Sequence, residues 1–248
     1  MASKNTATAF SIENRKKMLL YLEIRQYLFT LIAQQPKTKK LPSERELVDT
    51  FKSTRITVRE ALISLEAEGM IYRLKRKGWF ICPPRLQWDP IQKVNFYQLA
   101  QEHHFIARTQ LISIKKINLT NDISLAFSRD STSPSLYEIC RVRSLDDRPV
   151  MVEEIYCQVE QFHGLDDKAL EGSITTIFTN DYGIEVTKES STISVTTLPE
   201  NKAQHLQLNS GASCLKIIRK RFSADASLVD YNIEYWVHSA IEIAVESS

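Results

Sequence analysis

Residues 41–73 read LPSERELVDTFKSTRITVREALISLEAEGMIYR, and this stretch decides the fold of the N-terminal part of the chain. Ser43 and Glu46 have the spacing of a capping box, which predicts the start of a short helix. After the polar pair Lys52-Ser53, Thr54 can act as the N-cap of a further helix that ends at Gly69. Two helices joined by so short a turn indicate a helix-turn-helix.

The flanking segments extend this motif on both sides. Apolar residues recur at helical spacing in residues 15–34, which predicts a helix in front of the motif, ended by the PKTKK of residues 36–40. Behind the motif, residues 70–81 read as two short strands joined by a basic tip that contains Gly78. A hairpin at this place is typical of the wing of a winged helix-turn-helix.

Charged residues are divided unevenly along the chain. Residues 1–85 hold 17 Lys and Arg against 8 Asp and Glu, whereas residues 86–248 hold 15 against 22. A basic segment joined to an acidic remainder indicates that only the first part binds a polyanion such as DNA. Pro83-Pro84 and the polar residues up to Pro90 break regular structure where the sign of the charge changes. The sequence therefore predicts a DNA-binding domain over 1–82, a linker over 83–93 and a second domain over 94–248.

The composition disfavours several kinds of site. The four cysteines are far apart and the five histidines lack metal-ligand spacing, so we expect reduced thiols and no metal site. Only six glycines occur, without a phosphate-cradling loop, and we expect no cofactor. The sequence has neither an apolar run of about 20 residues nor the apolar stretch of a signal peptide. We therefore expect a cytoplasmic protein without a membrane partner.

The second domain has a mixed pattern. Helices are predicted near 95–104, 173–181 and 200–207. Strands are predicted near 109–119, 137–145, 150–158, 184–198, 214–223 and 229–237, with hairpin turns at 146–149 and 224–227. The expected fold class is α+β: an N-terminal winged helix-turn-helix followed by an α+β domain with a largely antiparallel sheet.

The helix after Thr54 carries cations at its start and a core-facing stripe behind them. Arg55 and Arg59 lie one turn apart, and the stripe consists of Val58, Leu62 and Leu65. The major groove of DNA admits one helix, and an arginine there can bind guanine with two hydrogen bonds. For an arbitrary helix, a solvated face would be the plainer interpretation of two arginines.

Residues 41–73 resemble the winged helix of the GntR family of bacterial transcription factors along their whole length, from LPSEREL through TRITVREAL to the EG turn. The resemblance implies operator DNA as a partner. The DNA contacts that it implies are Arg45, Thr54, Arg55, Thr57, Arg59, Lys75, Arg76, Lys77 and Gly78. The family's wing reads GxGTF, whereas Arg76 replaces its first glycine here, so its side chain could enter the minor groove or bind phosphate. We interpret Trp79 as a core residue.

Three charged residues are predicted to share one face of the second domain's sheet. Arg141 and Arg143 are two residues apart on a strand, so both side chains project to one side and could converge on an anion. Glu153, on the next strand, could orient either arginine or accept a hydrogen bond from a ligand. A cross-strand salt bridge at the surface is the alternative.

Residues 91–248 resemble the UTRA effector domain of HutC-type regulators, a fold similar to chorismate lyase that senses a ligand instead of catalysing a reaction. The resemblance rests on the motifs RVR at 141–143, PVMVE at 149–153, SIT at 173–175 and YNIEYW at 231–236. It implies an effector site built from Arg108, Thr109, Arg141, Arg143, Glu153, Ser173, Asp230 and Trp236. A loop at 107–109 would close over the anionic end of the ligand. His104 replaces a family glycine before this loop, which leaves the loop's conformation open.

Four further segments resemble regulators of 2-aminoethylphosphonate use: KGWF at 77–80, RLQWDP at 85–90, NF at 95–96 and IEYWVH at 233–238. This resemblance implies an anionic or zwitterionic effector that bears a phosphonate or phosphate. The arginines would bind the phosphonate, and Asp230 or Glu153 would bind the ammonium group.

Three functions stay open at this point. The first is a regulator, a repressor or an activator, that forms a homodimer and binds a palindromic operator under effector control. The second is an enzyme in which Arg141, Arg143 and Glu153 handle a carboxylate substrate, although no nucleophile or proton-transfer pair stands out. The third is a nucleic-acid-binding module whose charged residues pair with one another and hold no ligand. The sequence favours the non-enzymatic regulator.

Overall fold

The structure is a computed structural model that describes residues 2–34, 40–92, 95–118, 122–127 and 135–245. The chain divides into two compact units, residues 1–84 and 85–248, and each is described by itself. Residues 36–39, predicted to end the first helix, and residue 93 of the predicted linker lie outside the described residues.

The described residues of unit 1 form three helices and a two-stranded hairpin. In chain order these are α1 (Ala2–Gln34), α2 (Glu44–Phe51), α3 (Arg55–Ala67), β1 (Ile71–Leu74) and β2 (Gly78–Ile81). α1 begins well before the predicted start at residue 15, because residues 2–34 contain no proline or glycine that would interrupt a helix. The predicted winged helix-turn-helix order is confirmed.

The predicted caps of α2 and α3 are present. The Glu46 amide donates to Ser43 Oγ at 3.2 Å, and the Ser43 amide donates to the Glu46 carboxylate at 2.7 Å. The Thr57 amide donates to Thr54 Oγ1 at 3.2 Å. These bonds satisfy amides that the first turn of a helix leaves unpaired, and they fix where each helix begins.

One apolar cluster joins the helices and the hairpin of unit 1. Its buried members are Ile24, Leu28, Leu41, Leu47, Val58, Ala61, Leu62, Leu65, Ile71 and Trp79. The Leu41 amide donates to the Trp79 carbonyl at 2.9 Å, which ties the segment before α2 to β2. The stripe predicted on α3 therefore packs inward and leaves the opposite face of the helix to solvent.

Unit 2 is an α+β fold with a largely antiparallel sheet, as predicted. Its elements are β3 (Leu86–Trp88), α4 (Phe96–Glu102), β4 (Ala107–Asn118), α5 (Asp122–Phe127), β5 (Ser135–Leu145), β6 (Arg148–Gln158), α6 (Ile174–Tyr182), β7 (Lys188–Thr197), α7 (Glu200–Leu206), β8 (Ser213–Phe222), β9 (Leu228–Val237) and β10 (Ile241–Ile243). Six strands form an antiparallel sheet in the order β4-β5-β6-β9-β8-β7. No helix in the described ranges combines the length and the apolar character needed to cross a membrane.

The two faces of this sheet carry different helices. Glu154 of β6 pairs with Lys202 of α7 on one face. The neighbouring Glu153 projects to the other face, where α4 and α6 lie, because successive side chains of a strand alternate. We call this second side the cavity face.

The predicted linker is corrected at residues 86–88. These residues form β3, which pairs in parallel with β10 in the register Leu86 to Ile241 and Trp88 to Ile243. Leu86 and Trp88 are both buried. The flanking prolines suggested irregular structure, but two alternating apolar side chains bury enough area to hold the short segment on the core.

Candidate DNA-contact surface and charged cavity

The start of α3 presents exposed side chains at the surface of unit 1. Thr54, Arg55 and Arg59 are all exposed. Arg59 Nε lies 3.2 Å from Glu44 Oε2, so a carboxylate of α2 holds its side chain. Ile56, which the sequence reasoning did not select, is 65% exposed beside Arg55. An apolar side chain at the start of a groove-binding helix can contact the thymine methyl group.

Thr57 lies in a different place from the predicted one. Only 2% of its surface is exposed, and its Oγ1 lies 3.0 Å from Thr54 Oγ1. Residues four apart share a helix face, so Thr57 points to the same interior as Ala61. A side-chain contact from Thr57 to DNA is therefore corrected to a role in fixing Thr54 at the helix start.

The remaining predicted contacts lie on α2 and at the hairpin tip. Arg45 of α2 is exposed, with its Nε 3.9 Å from Asp49 Oδ2. Lys75, Arg76 and Lys77 are exposed between β1 and β2. The tip thus carries three cations in a row, which suits contact with phosphates.

The backbone at the tip adopts the left-handed region twice. Gly78 has φ 106°, and Arg76 has φ 65°. Arg76 therefore takes a glycine-like conformation at the position where a glycine was expected. The left-handed conformation costs a residue other than glycine about 1–2 kcal/mol. An arginine at position 76 is therefore less stable than a glycine would be.

Trp79 is a core residue, as predicted. It is 4% exposed, and its Nε1 donates to Glu44 Oε1 at 3.3 Å. Because Glu44 also pairs with Arg59, one carboxylate links β2 to the exposed side of α3. The hairpin and the helix are thereby held in a fixed relation.

Unit 2 encloses a cavity of about 280 Å³ between the cavity face of the sheet and the elements that cover it. Trp88 of β3, residues 95–97 and Leu99 at α4, and residues 173–176 at the start of α6 form the cover. The sheet contributes charged side chains, among them Arg141, Arg143 and Glu153 of the prediction. A cavity of this volume suits a small metabolite.

Arg141, Arg143 and Glu153 form one buried cluster. Arg141 Nη2 lies 2.6 Å from Glu153 Oε1, and Arg143 Nε donates to the same oxygen at 2.8 Å. Two guanidinium groups therefore share one carboxylate, and the cluster has a net positive charge. The two arginines converge on a carboxylate of the fold, so the cross-strand ion pair of the alternative is present, but it is buried and not at the surface. Convergence on a ligand anion stays a prediction.

Electrostatics and packing hold the charges of this cluster in place. Burial alone would raise the pKa of Glu153, but the charges of Arg141 and Arg143 lower it to about 2. The Arg143 guanidinium lies over the ring of Phe96 with 4.9 Å to the centroid. Phe96 belongs to α4, so the aromatic cover of the cavity rests on one of its cations.

The start of α6 is bound to the same cluster. Arg141 Nη1 donates to the carbonyls of Leu170 and Gly172 at 2.8 and 2.9 Å. Ser173 caps α6 by accepting a hydrogen bond from the Thr176 amide at 3.4 Å. A helix N-terminus and two arginines therefore meet at one end of the cavity, in the arrangement that anions favour.

A second charged group lies on β7, β8 and β9. Arg219 Nε donates to Glu234 Oε1 at 3.0 Å, and Arg219 Nη1 donates to Glu189 Oε1 at 2.9 Å. Although burial opposes its charge, the two carboxylates raise the pKa of Arg219. Trp236 Nε1 donates to Glu234 Oε2 at 2.8 Å, which places Trp236 at the cavity as predicted.

Three predicted effector residues, Arg108, Thr109 and Asp230, do not line the cavity. Asp230 is fully buried and paired with Arg221, and only Arg221 lines the cavity. Arg108 is exposed and forms a 2.6 Å ion pair with Asp147. Its neighbour Thr109 is in register with Arg143, so Arg108 projects to the opposite face of β4.

The segment at 107–109 is a strand and not a loop over the cavity. Thr109 nevertheless contacts the cavity cover, because its Oγ1 lies 2.6 Å from the Tyr97 hydroxyl. His104 has φ 61°, so it adopts the left-handed conformation that the missing glycine would favour. The loop closure expected here therefore has no counterpart in this structure.

Sequence reasoning missed much of the cavity wall. Among the missed residues are Trp88, Phe96, Tyr97, Thr175, Glu189, Arg219, Arg221, Asn232 and Glu234. Asn232, Glu234 and Trp236 are each two residues apart in the sequence, so Asn232 and Glu234 could have been selected from this spacing. No local signal marked Glu189 and Arg219, because their pairing depends on how β7 and β8 align.

Comparisons with known proteins agree with both units. Residues 102–242 match the UTRA domain, and residues 20–81 match the bacterial regulatory proteins of the gntR family. The HTH-type transcriptional regulator YihL of Escherichia coli K12 is 28% identical over 209 residues, which cover 83% of this chain and 87% of YihL. The HTH-type transcriptional repressor NagR of Bacillus subtilis is 25% identical over 224 residues, which cover 89% of this chain and 91% of NagR.

A solved structure has the same fold. PhnF from Mycobacterium smegmatis superposes with a TM-score of 0.64 at 18% identity, covering 91% of this chain and 99% of PhnF. Its effector domain alone gives a TM-score of 0.59 at 14% identity and covers 64% of this chain.

Proposed function

The chain belongs to the UTRA-domain group of the gntR family of bacterial regulatory proteins, and we propose that it is a cytoplasmic repressor controlled by a zwitterionic effector. Unit 1 binds operator DNA and unit 2 binds the effector. The effector that fits best is 2-aminoethylphosphonate or a related phosphonate or phosphate. NagR, which carries the name of a repressor, supports the sign of the regulation.

The DNA part of the proposal rests on the exposed cations of unit 1. Arg55 and Arg59 enter the major groove with the start of α3, and Ile56 adds an apolar contact. Arg45 and the wing cations contact phosphates on either side, and these contacts position the helix. Two copies of the chain form a homodimer on a palindromic operator, with half-sites about one DNA turn apart.

One observation carries the effector part: two buried guanidinium groups share the single carboxylate of Glu153. Arg141 is fully buried, and among the described residues no acceptor reaches its Nε. A buried donor without an acceptor is costly, so an anion bound here supplies a missing partner. Ser173 and the first turn of α6 add donors at the same end of the cavity.

A lyase-like reaction is less well supported by this geometry. A general base needs a pKa near the operating pH, whereas the pKa of Glu153 is about 2. Its carboxylate is also occupied by both arginines. The third alternative is a cavity closed by its own ion pairs. It is disfavoured by the cavity volume of about 280 Å³ and by the excess of positive charge where Arg141 and Arg143 share Glu153.

The proposal is tested by footprinting the full chain on its own upstream DNA, with and without 2-aminoethylphosphonate. We expect two protected half-sites that are lost at millimolar ligand, together with heat of binding in calorimetry. Transcription from the same DNA in a purified system should rise when the ligand is added. Turnover of the ligand, measured in parallel, would favour the enzyme.

The outcomes separate the parts of the proposal. No footprint without ligand would overturn the operator assignment. A footprint that persists at millimolar ligand, without heat of binding, would overturn the phosphonate effector and leave the DNA-binding part intact. Transcription that falls on addition of the ligand would overturn the repressor assignment.

A further inference from the structure

The charges of the cavity are unequally divided between its two ends. At β5 and β6, Arg141 and Arg143 share the carboxylate of Glu153, so cations are in excess. At β7, β8 and β9, Arg219 pairs with both Glu189 and Glu234, and Arg221 pairs with Asp230, so carboxylates are in excess. The cavity thus has a positive and a negative end.

The two ends are set apart by the register of the sheet. Arg141 pairs with Glu153, and Glu153 pairs with Glu234, so the three residues form one row across β5, β6 and β9. Neighbouring strands lie about 4.8 Å apart, so the outer members of the row have backbones roughly 10 Å apart. Their side chains project from the same face of the sheet, and a separation of this size suits a ligand with two charged groups on a short spacer.

Asn232 gives the negative end an unsatisfied acceptor. It lines the cavity and is 5% exposed. Its Nδ2 donates to Glu234 Oε1 at 3.4 Å, so the amide oxygen Oδ1 is directed away from that carboxylate. Within the part of the chain that the structure describes, no donor reaches Asn232 Oδ1. A buried acceptor of this kind calls for a donor from a ligand.

We propose that Asn232 Oδ1, together with Glu234 and Glu189, binds a primary ammonium group of the effector. This inference rests on the proposed function. The anion lies at Arg141 and Arg143, and the ammonium lies at the other end of the row. This replaces Asp230 and Glu153 as the ammonium partners expected from the sequence, because two arginines share Glu153 and Asp230 lies outside the cavity, whereas Glu189 and Glu234 share the single Arg219.

The chemistry of the site favours a primary amine over other cations and neutral donors. A primary ammonium has three N–H donors, which match the amide oxygen and the two carboxylates. A trimethylated ammonium has no donor and needs an aromatic cage. A hydroxyl group can donate to Asn232 Oδ1, but it does not balance the excess carboxylate.

The test is calorimetric titration of the full chain with matched pairs of probes. 2-Aminoethylphosphonate is compared with 2-hydroxyethylphosphonate and ethylphosphonate, and β-alanine is compared with propionate. We expect 2-aminoethylphosphonate to bind about 10- to 100-fold more tightly than ethylphosphonate, with the hydroxyl analogue between them. Trimethylation of the amine should remove the gain.

The variant Asn232→Leu keeps the size of the side chain and removes the acceptor. It should lose most of the preference for 2-aminoethylphosphonate and retain the affinity for ethylphosphonate, which also shows that the cavity is folded. An equal loss of affinity for both probes would mean a structural role and would overturn the assignment.

The failure of this inference is distinguishable from that of the proposed function. Equal affinity for 2-aminoethylphosphonate and ethylphosphonate would overturn the ammonium site and leave the anion site standing. If no phosphonate binds but β-alanine binds more tightly than propionate, the ammonium site stands and the phosphonate effector fails. Binding of none of these probes would overturn both.

Discussion

Arg55 on α3 and Arg143 on β5 carry the same side chain in opposite settings. Arg55 is exposed at a helix start, whereas Arg143 is 7% exposed, shares Glu153 with Arg141 and lies against Phe96. The charge of Arg55 is balanced by solvent. The charge of Arg143 must be balanced within the fold at all times, because an unpaired buried ion is costly.

Because of these different settings, substitutions at the two surfaces should have different effects. Loss of a charge from the α3 surface should weaken binding and leave folding unchanged. Loss of a charge from the cavity should first destabilise the fold, since a partner is left unpaired.

The largest expected effect is on stability, from Glu153→Gln. The variant leaves two buried guanidinium groups without their shared carboxylate, so unit 2 should lose about 3–5 kcal/mol of unfolding free energy. Urea unfolding followed by fluorescence reports this, because Trp88 and Trp236 lie in unit 2. The exposed Glu160→Gln in the same unit is the control and should change stability by less than about 0.5 kcal/mol. Equal stability of both variants would contradict the buried-cluster interpretation.

The second effect is on DNA affinity, from Arg55→Ala. Loss of a guanine contact should weaken operator binding about 10- to 100-fold, with the unfolding free energy unchanged within about 0.5 kcal/mol. Mobility shift on the footprinted DNA measures the affinity. Lys16→Ala removes an exposed charge of α1 as a control and should change affinity little. An unchanged affinity for Arg55→Ala would overturn α3 as the recognition helix.

The third effect comes from Arg76→Gly, which should raise the stability of unit 1 and weaken operator binding. Glycine relieves the left-handed strain at φ 65°, so unit 1 should gain up to about 1 kcal/mol of stability. Loss of a phosphate contact should lower the salt dependence of operator binding by about one unit of slope. Lys77→Gly removes a charge without relieving strain, so a gain in stability there would contradict the explanation.

The smallest expected effect comes from Arg108→Ala. Because Arg108 is exposed on the face of β4 away from the cavity, effector affinity should stay within about twofold and stability within about 0.5 kcal/mol. Calorimetry beside Arg143→Ala, which should lose most effector affinity, provides the contrast. Equal losses in the two variants would show that β4 rearranges around the ligand.

The features of α3 could be predicted from the sequence more completely than those of the cavity. On α3, cap, core stripe and exposed cations lie within residues 54–65, so helical periodicity alone separates them. Even there, Thr57 was assigned to DNA although its position beside Val58 turns it inward. The motif fixed the helix correctly but not the direction of each side chain.

The cavity depends on contacts between residues far apart in the chain. Arg141 and Arg143 were found because two residues on one strand share a face. Arg108 was misplaced because a shift of one residue in strand register moves a side chain to the other face. Glu189 and Arg219 come together only through the pairing of β7 with β8, which no local pattern specifies. Asp230 was assigned to the effector site, but it pairs with Arg221 and does not line the cavity.

β3 places the cavity wall only a short stretch of chain away from the end of unit 1. Trp88 lines the cavity and lies over the Arg219 guanidinium at 4.9 Å. The boundary between the units lies just before residue 85, so four residues join the cavity wall to the end of the DNA-binding unit. Four extended residues span at most about 14 Å. This length leaves no room in the chain for a separate linker between the cavity wall and unit 1.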